Sequence, residues 1–140
     1  MSRGDPVRGP DRPAIRRGEA AAEFHTEERC HIRELSNTAT DAAVSIAQAR
    51  VSPGTVTRWH RLAGIAERYV VLRGQGRVEL EGLPPQFLMP GDVALIPAGC
   101  AQRIANTGGD DLVFLAICTP RFVPEAYEDI DPDPPAERLA

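Results

Sequence analysis

The chain has 140 residues, with 16 basic, 20 acidic and three histidine side chains, giving a formal net charge of −4. That length suits one domain with a hydrophobic core of its own, and the acidic balance advertises neither a nucleic-acid backbone nor an anionic membrane as partner. All the basic residues are arginine, which excludes Schiff-base chemistry, a lysine general base and Walker-type phosphate binding by this chain.

Residues 1–20 are rich in Arg, Pro and Gly and show neither hydrophobic periodicity nor an apolar h-region, so they are expected to form a flexible arm and not a secretory leader. Three cysteines, Cys30, Cys100 and Cys118, lack CxxC spacing and fit buried thiols in a reducing cytoplasm. No run approaches about 18 apolar residues, so no transmembrane helix is expected. Only 18–24 admits a short helical turn. From there the pattern predicts strands in CHIREL (30–35), VSIAQARV (44–51), TVTRWHRL (55–62), ERYVVL (67–72) and GRVELEG (76–82). FLMP (87–90), DVALIPAG (92–99), AQRIAN (101–106) and DLVFLAICTP (111–120) follow. Each is short and bounded by turn residues, which argues for an all-β sandwich or closed barrel and not a β/α alternation. The barrel is expected over 21–122, followed by an acidic, proline-rich tail over 123–140 whose start Phe122 and Tyr127 pin down. In that tail Asp129, Asp131 and Asp133 alternate like the start of a calcium loop, but Pro134 stands where such a loop needs glycine.

Alternation decides which residues share a face. If Val56 and Val71 mark the inside, then Arg58, His60, Leu62, Glu67 and Tyr69 line one interior, while Trp59 and Arg61 point outward. Polar groups facing an interior must pair, bind a metal or meet a ligand. The His60–Glu67 combination therefore admits a metal site, an acid–base pair or a plain buried hydrogen bond. Gln102, on the face it shares with Ile104, can accept through its carbonyl or donate through its amide. Arg58 could hold a substrate carboxylate or enolate, or pair with Glu67. Cys100 and Cys118 read as small buried thiols, with no activating base beside them.

Two segments together resemble the cupin superfamily. The first, with Gly54, His60, Glu67 and Gly74, has the spacing G-x5-H-x-H-x3–4-E-x6-G except that Leu62 replaces the second histidine. The second, with Gly91, Pro97, Gly99, Gln102 and Asn106, has the spacing G-x5-P-x-G-x2-H-x3-N except that Gln102 replaces its histidine. The resemblance implies a double-stranded β-helix, the jelly-roll-like cupin barrel, over roughly 43–120. It also implies a metal site, carried by three histidines and a glutamate in the family. On this chain that leaves His60, Glu67 and Gln102 for a divalent ion such as Zn, Ni, Fe or Mn, with His25 or His31 as possible sources of a missing nitrogen. A homodimer is the further expectation, with Trp59 on its surface.

Three functions follow as alternatives. The first is a small metal-dependent enzyme of dioxygenase, isomerase, lyase or cyclase type, acting on an oxygen-rich small molecule that Arg58 and Tyr69 orient. The second is a non-catalytic binding or sensing module with a metal-free pocket. The third is metal-free acid–base catalysis by His60 and Glu67. No nucleic-acid-reading element is present, and the partner expected is a small-molecule ligand.

Overall fold

In a computed structural model, which describes residues 7–133, the chain forms two antiparallel sheets that face each other. The strands are β1 (Phe24–His25), β2 (His31–Ser36), β3 (Ser45–Val51), β4 (His60–Leu62), β5 (Ala66–Arg73) and β6 (Gly76–Leu80). They continue as β7 (Gln86–Leu88), β8 (Val93–Ile96), β9 (Gln102–Asn106), β10 (Leu112–Thr119) and β11 (Tyr127–Asp129). One sheet has the order β1-β2-β3-β10-β5-β8 and the other β11-β4-β9-β6-β7. This is the jelly-roll barrel expected from the sequence. Three short 3-10 turns are the only helical elements among the described residues, one of them at Gly18–Ala20, and none is long and apolar enough to cross a membrane.

The strands form where β-branched and aromatic residues alternate with polar ones, because one face of each strand meets the opposite sheet. Along β5 the buried positions are Glu67, Tyr69 and Val71, and along β4 they are His60 and Leu62. The main core gathers Val51, Val71, Ile104, Leu112 and Phe114 from both sheets. A smaller cluster of Leu62, Ile65, Cys118 and Ala126 is capped by Phe122, Val123 and Tyr127.

The motif glycine and asparagine have structural explanations. Gly74 has φ +78°, and a Cβ there would lie 2.5 Å from the Asp111 carbonyl oxygen, so only glycine fits this turn. Buried Asn106 donates through Nδ2 to the carbonyls of Val51 and Asp110, each at 2.8 Å, and accepts from Gly108 N at 2.9 Å. It thereby ties β9 to the ends of β3 and the turn before β10.

Two elements differ from expectation. The predicted strand over 55–62 is regular only at β4; before it, Val56 makes a single bridge to Ala105 and Thr57 Oγ1 accepts from Ile104 N at 2.9 Å. The segment expected as a tail supplies β11, which adds to the edge of the second sheet by pairing Tyr127 with Leu62 and Asp129 with His60. Its aspartates bind protein groups. Asp129 takes Arg58, and Asp131 accepts from Trp59 N at 2.9 Å. Pro134 lies outside the described residues.

Candidate functional site

His60 and Gln102 are register partners on β4 and β9, while Glu67 and Tyr69 project from β5 in the opposite sheet. The pleat sends all four inward, and each is buried. The Tyr69 hydroxyl donates to Gln102 Oε1, a bond that crosses between the sheets. Burial holds the Tyr69 hydroxyl well above its ordinary pKa, so it stays a donor. His60 Nδ1–H donates to the Arg58 carbonyl at 2.8 Å, which leaves Nε2 as the basic nitrogen of the neutral ring. That Nε2 lies 3.6 Å from Glu28 Oε2, and the ring stacks on Tyr127 with centroids 5.2 Å apart.

Glu67 is a buried carboxyl group with one unsatisfied oxygen. Its Oε2 is 3.7 Å from the Cys118 thiol, but Oε1 has no hydrogen-bond partner. Burial pushes its pKa up to about 7, opposed by the positive potential of His60 and reinforced by Glu28. Gln102 and Cys118 also draw it down, although the Gln102 amide does not reach hydrogen-bond geometry to Oε1. The Cys118 thiol is itself pushed up to about 12, by burial and then by Glu67, so it is no nucleophile.

Glu67 lines two neighbouring cavities. A cavity of about 330 Å³ lies between β2, β3 and β10 and the chain that follows β10, and an inner recess of about 60 Å³ reaches His60 and Tyr69. Glu28, Glu67 and Tyr127 line both. Of the three buried side-chain atoms without a hydrogen-bond partner among the described residues, two belong to these walls: Glu67 Oε1 and the Tyr127 hydroxyl.

The structure separates the candidates read from the sequence. His60, Glu67, Tyr69 and Gln102 come together. Arg58 is buried as its parity suggests, but it points to β11 and not to Glu67: Nε donates to Asp129 Oδ2 at 2.6 Å and a terminal nitrogen to Asp129 Oδ1 at 3.2 Å. It lines neither cavity and acts on the site through its carbonyl. His25 and His31 pair with each other, ring centroids 4.8 Å apart, with His31 beside Glu23. Neither reaches the interior. The group that the N-terminal segment does contribute is Glu28, which alternation could not find because it precedes β2 in an irregular stretch. Trp59 is half-buried, covered by the Arg103 guanidinium at 4.7 Å from its ring centre.

The donors that the resemblance leaves on this chain, His60, Glu67 and Gln102, share the interior, but they are a poor set for a divalent metal. Among the described residues no three His, Cys, Asp or Glu side chains are grouped to hold an ion. Leu62 stands in one position, and the Gln102 carbonyl oxygen already accepts from Tyr69. One imidazole remains, facing a carboxylate. What the arrangement can do is hold and move protons: a basic nitrogen of fixed orientation and a carboxyl group near neutrality share one cavity.

A family profile described as Cupin domain matches residues 47–118. A glucose-6-phosphate isomerase of Thermococcus gammatolerans is 39% identical over 70 residues, covering 45% of this chain. The match spans 35% of that relative's length. Among solved structures, KdgF from Halomonas sp. is similar with a TM-score of 0.68 at 18% identity, covering 78% of this chain and 96% of its own. A predicted oxalate decarboxylase from Thermotoga maritima has a TM-score of 0.68 at 23% identity, covering 76% and 99%. Pac13, a nucleoside dehydratase, has a TM-score of 0.71 at 12% identity, covering 86% and 92%; a structure of the Streptomyces protein with uridine is similar to the same degree.

Proposed function

The chain belongs to the cupin domain family, and on that premise we propose that it is a small enzyme of isomerase or lyase type, working by metal-free acid–base chemistry on a small organic molecule bound in the barrel. The observation that carries this reading is the buried, unpartnered Oε1 of Glu67 at the junction of two cavities. A buried carboxyl oxygen without a donor is costly, and a ligand group that hydrogen-bonds to it removes the cost. Glu67 would take a proton from the ligand or give one to it. His60 Nε2 would serve as the second proton site, its orientation set by the Arg58 carbonyl and the Tyr127 ring. Glu28 would stabilise the imidazolium when His60 is protonated. Tyr69 holds Gln102 in place and closes the inner end of the recess. Two relatives bear names that denote an isomerase and a dehydratase, and both reaction classes move protons, which supports the same reading.

The test is deuterium incorporation. A panel of small organic molecules, amines, sugars and nucleosides among them, is incubated with the protein in D2O, and the substrate class should exchange a carbon-bound proton or lose water, as read by NMR. The reaction should survive exhaustive dialysis against EDTA and vanish in Glu67→Gln. Loss of activity on dialysis, with recovery on adding Zn, Ni, Mn or Fe(II), would restore the metal-dependent reading. The pocket's apolar walls, Ile32, Ile46, Ala47 and Ala116 among them, favour a second reading, a binding module. Tight ligand binding with no exchange or turnover would establish it.

A further inference from the structure

The chemistry of the cavity wall goes further than the reaction type, resting on the same reading of Glu67 as the group that meets the ligand. Four carboxylates line the larger cavity: Glu27 and Glu34 at its exposed rim, and Glu28 and Glu67 deeper in. Glu34 accepts from Asn37 Nδ2 at 2.8 Å, and Glu28 faces His60. No arginine lines either cavity among the described residues, and the chain contains no lysine. Glu67 is 8% exposed and lines this cavity, and its buried Oε1 has no hydrogen-bond partner.

Three aromatic rings share the wall, those of Phe24, Phe122 and Tyr127. Aromatic faces attract cations through the ring quadrupole, and carboxylates do so through charge. An anion entering would meet carboxylates on several sides and no fixed positive side chain except His60 in its protonated form. A neutral ligand would satisfy the apolar wall and leave the negative potential uncompensated. We propose that the cavity takes an organic ammonium, a small molecule with a protonated amine next to an apolar body, and that it rejects phosphorylated and carboxylated ligands. The amine lies against Glu67 and Glu28, and the apolar body against Ile32, Ala116 and Phe122.

A matched set of probes tests this: benzylamine, benzyl alcohol and benzoate, titrated calorimetrically into the full chain at neutral pH, where the amine is protonated. Benzylamine should bind at least tenfold tighter than either partner, and Glu67→Gln and Glu28→Gln should each erase most of that preference. Circular dichroism identifies a variant that fails to fold. In that case chemical-shift mapping on the unaltered protein replaces it and should place the amine beside Glu67, Phe122 and Tyr127. Equal or tighter binding of benzoate or benzyl alcohol, no binding of benzylamine, or an amine mapped elsewhere would each overturn the inference. Binding is read here without turnover, so the two proposals fail separately. An amine that binds without proton exchange removes the catalytic reading, and exchange on a neutral or anionic compound removes the ammonium alone.

Discussion

At the scale of single residues, Glu67 contributes a distinct pH dependence to stability. In the unfolded chain its carboxyl titrates near 4.5, and in the fold near 7. Between those values the native state holds a proton that the unfolded state has lost, so this group's contribution to stability falls as pH rises through the folded pKa. A shift of that size corresponds to about 3 kcal/mol. Glu67→Gln keeps the shape without the charge. It should therefore flatten the pH dependence and make the protein more stable than its parent at pH 8, by about 2–3 kcal/mol in urea titrations, while abolishing activity. A parent stability that does not fall from acid to neutral pH would show that Glu67 is not the buried acid described here.

At the scale of elements, β11 is attached by a few specific contacts. Its three pairs with β4 form the edge of a sheet, and the Arg58–Asp129 ion pair, with Asp129 held below the usual carboxylate range by the guanidinium, fastens it. Tyr127 of this strand stacks on His60 and lines both cavities. Asp129→Ala removes the bidentate partner of a buried arginine, at a cost of about 2 kcal/mol. Hydrogen exchange should then rise at Tyr127–Asp129 and in β4 before it rises in β5 or β10. Uniform exchange along all four strands would show that the clasp does not act locally. The same contact explains why Arg58 was open to two sequence readings. Strand parity predicts that it turns inward, but its partner lies 71 positions away in a segment whose acidity and prolines suggest a loose tail.

At the scale of the whole molecule, the two sheets are joined by the apolar core and by polar bridges, Asn106 to the Val51 carbonyl and Tyr69 to Gln102. Tyr69→Phe keeps the ring against Phe114, whose centroid is 4.5 Å away, but leaves the buried Gln102 carbonyl without its donor. Thermal or urea unfolding should record a loss of about 1–3 kcal/mol. The double variant with Gln102→Leu should recover part of that loss, because both polar groups are then gone; no recovery would mean that the two residues are not coupled. The sequence alone determined the all-β class, the turn glycines and the inward set of Arg58, His60, Leu62, Glu67 and Tyr69, because a strand's period of two and the needs of a tight turn are local properties. Only the tertiary structure decided that Glu28 faces His60, that Arg58 is held by Asp129, and that β11 closes over the site. Each of those contacts joins segments distant in sequence, and packing two sheets face to face selects them without any local pattern. The site that opened as a possible metal centre is thereby described by its buried carboxyl group and the cavity in front of it.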